Sequence, residues 1–203
     1  MPKLLLATGN RAKLYELRSL LQELPYKLVT PSEVGISTEV EETGSSLEEN
    51  ARLKASLSAT RSGLMALADD SGLEVDALGG KPGVLSARYA GKNASDTDLI
   101  NYLLSQLEEV PWEERQARFR CVIAIAMPDG QVKLISGECQ GIITLEPKGE
   151  RGFGYDPIFY LPQLGKTMAE LPLAVKNRVS HRGKAAAKAR RLLLNLRDSK
   201  NIQ

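Results

Sequence analysis

The amino-acid sequence predicts an α/β fold, on two observations. Near the start, an apolar strand at residues 4–7 is followed by a small polar turn at residues 8–10 and by a helix over residues 11–23, where leucines recur at helical spacing. In the middle of the chain, apolar runs at residues 118–127 and 131–136 flank the turn sequence Pro-Asp-Gly, which predicts a β-hairpin. Strand, turn and helix in that order are typical of the opening of an α/β domain.

Capping and breaker residues predict the next elements. Ser46 and Glu49 form a capping-box pattern, so we expect a helix from about residue 47 to residue 60. The apolar residues 64–68 predict a short strand, and we expect it to end at the polar sequence Asp-Asp-Ser-Gly of residues 69–72.

The C-terminal half is predicted to hold two helices and a long loop. Amphipathic spacing indicates helices over residues 96–108 and about 183–196, and residues 137–145 continue the strand-rich stretch after the hairpin. Glycine and proline are frequent in residues 147–172, which we expect to be mostly loop. No repeat or linker interrupts the 203 residues, so one domain over residues 1–203 is predicted.

Composition excludes several classes of protein. Hydrophobic residues make up 42% and charged residues 26%, which is typical of a globular domain. The longest apolar run, residues 121–127, is too short to span a bilayer, and the N-terminus offers no secretory signal. Two cysteines and one histidine do not suggest a structural zinc site or a disulfide framework, so we expect reduced thiols and a cytoplasmic protein.

Charge is divided unevenly along the chain. Residues 176–203 contain nine basic residues and one acid, whereas the preceding part carries 18 basic and 24 acidic residues. An acidic body with a basic end indicates either contact with nucleic acid or an anionic ligand held between the two.

The turn before the first helix is a candidate phosphate site. Thr8, Gly9 and Asn10 precede a helix whose first turn carries Lys13. A helix N-terminus gathers unpaired N–H groups and positive partial charge, and both attract phosphate. The alternative is a solvated lysine behind a capped turn.

Two acidic segments are candidates for a divalent cation. Glu39, Glu41 and Glu42 lie in one loop, and Asp69 and Asp70 follow an apolar strand. Carboxylate oxygens suit Mg²⁺, although a solvated acidic loop would account for the glutamates equally well. Neighbouring residues of a strand point to opposite faces, so the two aspartates are predicted to have different roles.

Two late segments offer groups for an aromatic ligand. Phe153 lies between two glycines, which would let a flat base stack on its ring, and the alternative is a core phenylalanine in a tight turn. Arg182 precedes the last predicted helix and offers a fork of donors to a carbonyl or a phosphate, or else is simply solvated.

Taken in order, seven motifs resemble the inosine triphosphate pyrophosphatase family, also called Ham1-like. They are Leu6-Ala7-Thr8-Gly9-Asn10-x-x-Lys13, Glu41-Glu42-Thr43-Gly44, Glu49-Asn50-Ala51-x-x-Lys54-Ala55, Ala68-Asp69-Asp70-Ser71-Gly72-Leu73, Ser86-Ala87-Arg88-Tyr89, Gly152-Phe153-Gly154-Tyr155-Asp156-Pro157 and Ser180-His181-Arg182-Gly183. Each motif is weak by itself, but the ordered set covers nearly the whole chain and is specific.

The resemblance implies a fold and an activity. The fold is an elongated α/β domain with a central mixed sheet flanked by helices and two lobes around an active-site cleft. The activity is the Mg²⁺-dependent hydrolysis of non-standard purine nucleoside triphosphates (ITP, dITP and XTP) to the monophosphate and pyrophosphate, which cleanses the nucleotide pool. A homodimer is also implied.

The same resemblance assigns roles to individual residues. The implied catalytic residues are Asp70, as the base that activates water, and Lys54. The implied ligands of Mg²⁺ are Glu42 and Asp70. The substrate would be bound by Thr8, Gly9, Asn10, Lys13, Ser71, Phe153, Gly154, Tyr155, Asp156, Lys176, His181 and Arg182.

Two other functions remain open from the sequence. A nucleic-acid-binding module would use the basic C-terminal helix, but the acidic body and an aromatic content of 5% disfavour it. A pyrimidine-directed pyrophosphatase of the Maf type is the second alternative, and the Phe153 and His181-Arg182 segments favour purines over it.

Overall fold

The computed structural model describes residues 1–37, 40 and 42–200. Glu39 and Glu41, two members of the candidate acidic loop, lie outside the described residues. The strands are β1 (Lys3–Leu6), β2 (Lys27–Val29), β3 (Met65–Val75), β4 (Gln116–Ala126), β5 (Val132–Ile143), β6 (Phe159–Leu161) and β7 (Lys166–Thr167). The α-helices are α1 (Arg11–Leu21), α2 (Leu47–Ser62), α3 (Asp96–Ser105), α4 (Leu173–Val179) and α5 (His181–Lys200).

The strands form one mixed sheet in the order β2-β1-β3-β4-β5-β6-β7. Strand β1 is parallel to both β2 and β3, whereas β6 is antiparallel to β5 and β7. The crossovers between parallel strands are made by the helices, as in other α/β proteins. The predicted α/β class with a mixed sheet flanked by helices is therefore confirmed.

Helices α1 and α2 begin where their caps predict. The Asn10 side chain accepts the backbone N–H of Lys13 at 3.0 Å, and Ser46 Oγ accepts that of Glu49 at 3.2 Å. The second half of the capping box is displaced by one residue, because the Glu49 carboxylate accepts from the N–H and hydroxyl of Ser45. Both helices are therefore started by local hydrogen bonds.

Strand β3 departs from the prediction. It was expected to end before Asp69, but it continues to Val75 through Asp-Asp-Ser-Gly. Gly72 is part of this strand and does not form a turn. Position 72 is occupied by glycine because a side chain there would collide with the carbonyl oxygen of Gly83, which approaches the strand closely. The carboxylates are tolerated inside the strand because cations from distant segments pair with them.

The C-terminal region also differs from expectation. The segment predicted to be loop contains β6 and β7, whose three and two residues are too few to give a periodic signal. Helix α4 was not predicted, and α5 begins at His181, so Arg182 lies in its first turn and not before it.

The chain divides into two compact units, each with its own apolar core. Unit 1 comprises residues 1–70, 121–137 and 182–203, and unit 2 comprises residues 71–120 and 138–181. The core of unit 1 includes Leu4, Leu17, Cys121, Ile123, Ala189 and Leu193; that of unit 2 includes Leu73, Leu103, Phe119, Ile143, Phe159 and Met168. In the part of the chain that the structure describes, no helix is both long and apolar enough to cross a membrane.

Candidate active site

One lysine of unit 1 joins two carboxylates. Lys54, on α2, donates from Nζ to Glu42 Oε1 at 2.8 Å and to Asp70 Oδ1 at 2.9 Å. Glu42 Oε1 and Asp70 Oδ1 are therefore both within hydrogen-bond distance of the same ammonium. The loop before α2 supplies Glu42 and β3 supplies Asp70, so the sheet and the helix together bring the two predicted metal ligands to one point.

Asp70 has a second partner on the same helix. The side-chain amide of Asn50 donates to Asp70 Oδ2 at 3.3 Å. Asn50 is fully buried, and Asp70 is also buried. Each oxygen of the Asp70 carboxylate is thus approached by a donor from α2.

The neighbouring Asp69 belongs to a separate buried network. Its Oδ2 lies 3.3 Å from Lys13 Nζ and 3.1 Å from Arg182 Nε. The guanidinium of Arg182 also donates from Nη1 to Glu16 Oε2 at 2.6 Å. Helices α1 and α5 therefore meet strand β3 through alternating buried charges. Asp69 and Asp70 have different ion-pair partners, and their predicted difference in role stays a prediction.

The two aspartates have opposite electrostatic environments. Burial opposes ionisation of Asp69, but the charges of Lys13 and Arg182 outweigh it and lower the pKa of that carboxyl well below its usual range. At Asp70 burial outweighs the attraction of Lys54, so the pKa of this carboxyl is raised. Burial opposes the charge of Lys54 as well, yet Asp70 and the other nearby carboxylates raise the pKa of its ammonium.

The turn before α1 brings the predicted phosphate-binding residues together. Thr8 Oγ1 accepts the N–H of Asn10 at 3.2 Å, and Asn10 in turn caps the helix. Thr8 is half-buried, while Gly9 and Asn10 are exposed. The helix N-terminus and the Lys13 ammonium thus occur in one turn of chain, an arrangement that attracts phosphate.

Unit 2 contains a second group of predicted site residues. The backbone N–H of Phe153 donates to Asp156 Oδ2 at 2.9 Å, and Lys176 Nζ pairs with the same oxygen. The Lys176 ammonium also lies 5.0 Å from the centroid of the Phe153 ring, within the range of a cation–π contact. Asp156 and Lys176 are both buried, and together they contact the backbone N–H and the ring of Phe153.

The loop that carries Phe153 is held at further points. Gly152 has a φ of 77°, and a side chain on it would collide with the Asp156 carboxylate, so only glycine fits there. The N–H of Gly154 donates to Asp96 Oδ2 at 2.7 Å. Tyr155 is buried and donates its hydroxyl to the carbonyl of Ser86 at 2.9 Å, which links two of the recognised motifs.

Three further predicted site residues are His181, Ser71 and Arg182, and the structure places them in different surroundings. His181 is buried and stacks on Phe119, with ring centroids 4.6 Å apart and planes 16° from parallel. Ser71 is half-buried in β3, directly after Asp70 in sequence. Arg182 is assigned to unit 1, where its donors contact Glu16 and Asp69 as described above.

The carboxylates of Glu42 and Asp70 fit a magnesium ion that takes its other ligands from water and phosphate oxygens. In the described ranges, no three side chains of the His, Cys, Asp or Glu type are grouped so that they could hold a metal by themselves. Mg²⁺ commonly takes one or two carboxylates and completes its coordination with water and phosphate oxygens. Glu42 and Asp70 supply such oxygens, and both already approach the one cation of Lys54.

Sequence reasoning missed three residues that organise these groups, Glu16, Asn50 and Asp96, and it considered Asp69 only as a candidate for a divalent cation. One signal was available for the first: Glu16 lies three residues after Lys13 on α1, hence on the same helix face. Asn50 was present in a recognised motif but received no role, and the pairing of Asp69 with Lys13 and Arg182 was not foreseen. Nothing in the local sequence of Asp96 points to Gly154, 58 residues away.

The model of the Ham1 family matches residues 4–192 of the chain. The chain belongs to the Ham1 family. Since the match spans far more than half of the sequence, the resemblance drawn from the ordered motifs is confirmed.

Similar proteins of the Ham1 family cover the chain almost completely. A protein named dITP/XTP pyrophosphatase from Geobacter sulfurreducens is 54% identical over 187 residues, which are 92% of this chain and 94% of that protein. One of the same name from Desulforamulus reducens is 53% identical over 194 residues, 96% of each chain. The solved structure of a HAM1 protein from Coxiella burnetii has 44% identity and a TM-score of 0.88, and covers 96% of this chain and all of that one.

Proposed function

We propose that the chain is a nucleoside triphosphate pyrophosphatase that hydrolyses ITP, dITP and XTP to the monophosphate and pyrophosphate. The observation that carries the proposal is the convergence of Glu42 and Asp70 on Lys54. This places a buried carboxylate, a second carboxylate and a cation at one point, which suits hydrolysis of a phosphoanhydride. The relatives named dITP/XTP pyrophosphatase support the same substrate class.

Asp70 acts as the general base. Its raised pKa, caused by burial, makes the ionised carboxylate a better proton acceptor than an exposed aspartate. The carboxylate takes a proton from water as the water oxygen bonds to the α-phosphorus. The bond from that phosphorus to the bridging oxygen then breaks, and pyrophosphate leaves with the electron pair.

Lys54, Lys13 and the α1 N-terminus bind and neutralise the phosphates. Lys54 holds the Asp70 oxygen at 2.9 Å and so orients the base. Lys13 is itself oriented by Asp69, at 3.3 Å, beside the turn of Thr8, Gly9 and Asn10. Positive charge aimed at a triphosphate supplies most of what this kind of transfer needs.

Magnesium is part of the proposal, with Glu42 and Asp70 as its protein ligands. When bound, the ion would offset negative charge on the phosphate oxygens. Lys54 also keeps the two carboxylates together through its two short contacts.

We infer from the family resemblance that the residues that recognise the base are Phe153, Lys176, His181 and Arg182. Phe153 stacks on the purine, and Lys176 and His181 provide donors to the ring, while Gly154, Tyr155 and Asp156 shape the loop. Hypoxanthine and xanthine present an acceptor at position six, where adenine presents an amino donor. A donor facing that amino group leaves buried polar groups unpaired, which rejects adenine strongly. Ser71 is proposed to contact the substrate next to Asp70.

We also infer a homodimer and a cytoplasmic location from the family resemblance. The described cysteines, Cys121 and Cys139, are both buried and neither is in a disulfide, which suits a reducing compartment.

Pyrophosphate release measured against a panel of nucleotides tests the function. The panel contains ITP, dITP, XTP and the common purine and pyrimidine triphosphates, each with and without Mg²⁺. We expect kcat/KM for ITP to exceed that for ATP by roughly 100-fold or more, because the mismatched donor costs several kcal/mol. A preference for pyrimidines, or no release from any nucleotide, would refute the proposal.

A further inference from the structure

Asn50 occupies an unusual position for a polar residue. It lies in the first turn of α2, is fully buried, and uses both ends of its side-chain amide. Its Oδ1 accepts the backbone N–H of Gly44 at 2.8 Å, and its Nδ2 donates to Asp70 Oδ2 at 3.3 Å. A buried amide with such partners makes two contacts that an apolar residue of the same size could not replace.

The orientation of the amide is fixed by chemistry. A backbone N–H can only donate and an ionised carboxylate can only accept, so the oxygen must face Gly44 and the nitrogen must face Asp70. A flipped amide would place oxygen against oxygen and nitrogen against nitrogen. The side chain therefore has one favourable state.

The loop before α2 approaches Asn50 so closely that only glycine fits. A side chain on Gly44 would lie 2.6 Å from Asn50 Oδ1 and 2.8 Å from the Cβ of Glu49. The φ of Gly44 is not in the left-handed region, so the reason for glycine is proximity and not backbone conformation. Glu42 is only two residues earlier in this loop, so fixing Gly44 restricts where Glu42 can lie.

These contacts form a closed ring. Gly44 bonds Asn50, Asn50 bonds Asp70, and Asp70 bonds Lys54. Lys54 bonds Glu42, and two peptide bonds along the chain lead from Glu42 back to Gly44. The single side chain of Asn50 connects the Asp70 carboxylate to the backbone of the loop that carries Glu42.

We propose that Asn50 is a positioning residue, which sets the Asp70 carboxylate for its proton transfer and holds the Gly44 loop so that Glu42 faces it. The inference rests on the proposed function, because it assigns Asn50 to the reaction that Asp70 carries. Partners of this kind, one step removed from the reacting atoms, typically change activity or ligand affinity by about 10- to 100-fold when removed.

Two substitutions of Asn50 separate its contact with the Asp70 carboxylate from its contact with the Gly44 backbone. Asn50→Ala removes both contacts, whereas Asn50→Asp keeps an acceptor for Gly44 but takes away the donor to Asp70. Ser58→Ala is the matched control, since Ser58 is a buried polar residue of the same helix outside the ring. The measurements are kcat and KM for ITP, thermal unfolding, and the amide resonance and hydrogen exchange of Gly44 by NMR without nucleotide or metal.

We expect both Asn50 variants to lower kcat by about 10- to 100-fold, with a change in KM of about threefold or less. The Gly44 amide should exchange faster in Asn50→Ala and stay protected in Asn50→Asp, and Ser58→Ala should remain within about twofold of the parent in kcat. The NMR readout involves neither catalysis nor metal, so it tests the link between Asn50 and the loop by itself.

A folded Asn50→Asp protein with the kcat of the parent would overturn the inference and leave the proposed function intact. An unchanged Gly44 amide in Asn50→Ala would also overturn it. If Asn50→Ala unfolds, Asn50→Asp decides. A parent protein that releases no pyrophosphate would instead overturn the proposed function, and with it the role of Asn50 in that reaction.

Discussion

Removing the guanidinium of Arg182 should destabilise the protein far more than removing any surface arginine. The Arg182 side chain is 2% exposed, and it contacts Glu16 and Asp69, which are 4% and 0% exposed. Arg182→Ala would leave two buried carboxylates without their shared cation. Breaking a buried pair in this way costs about 3–5 kcal/mol. For a chain of this size that corresponds to a fall in Tm of about 6–20 °C.

Arg190→Ala provides the matched control on the same helix. Arg190 pairs with Glu23 at 2.8 Å, but the two side chains are 35% and 71% exposed. Exposed pairs of this kind contribute about 1 kcal/mol or less. Urea unfolding of both variants, followed by circular dichroism at neutral pH, gives the two free energies directly. An Arg182 variant no less stable than the Arg190 variant would refute the buried network as a source of stability.

The pH dependence gives an independent check on the same network. The pKa of Asp69 is lowered in the folded protein, chiefly by Lys13 and Arg182 acting against burial, so its ionisation stabilises the fold above the ordinary carboxyl range. That stability is lost as the pH falls through the lowered pKa. In Arg182→Ala the Asp69 carboxyl loses one of its cations, so the deficit relative to the parent should be largest near neutral pH and shrink below about pH 4. A deficit that does not change with pH would point to lost packing alone.

Two matched pairs of substitutions test the rest of the site. Asp70→Asn should abolish nearly all pyrophosphate release without lowering the free energy of unfolding at neutral pH, because the raised pKa of Asp70 means that its charge costs stability there. Asp69→Asn should lower the free energy of unfolding, because the pKa of Asp69 is lowered in the folded protein. Urea unfolding measures both values, and an Asp70→Asn protein less stable than Asp69→Asn would contradict this reasoning. Gly152→Ala should lose about 1–3 kcal/mol from its positive φ and more from the collision with Asp156, whereas Gly154→Ala, also at positive φ but with open space around it, should lose only the first amount. Equal thermal shifts for the two glycine variants would remove the collision from the explanation.

Elements that depend on local hydrogen bonds were predictable from sequence. Asn10 caps α1 and Ser46 caps α2 at the predicted residues, because a cap and its target N–H are only three positions apart. The hairpin between β4 and β5 was predictable for the same reason, since its turn residues are adjacent to the strands that they connect.

The extent of β3 could not be read locally. Asp69 and Asp70 are ordinarily breakers in such a position, and what keeps them in the strand are cations far away in sequence: Arg182 is 113 residues from Asp69. The motifs contained the predicted site residues, but they did not show which other residues hold those side chains. Glu16 and Asn50 look like ordinary polar residues of helices until the fold places a partner beside each.

Under the proposed function, Asp69 and Asp70 divide stability and chemistry between two neighbouring positions of one strand. Both carboxylates are buried, but alternation along β3 turns them to opposite sides, where they pair with different cations. Asp69 faces Lys13 and Arg182, and its charge is more than compensated, so it supports the fold. Asp70 pairs with Lys54, which Glu42 also contacts, and burial, helped by the charge of Glu42, raises the pKa of Asp70 against the attraction of Lys54 and Lys13. A carboxylate held in that state binds a proton more readily than one in water, which is the property that a general base needs, and the strand that bears it is secured by its neighbour.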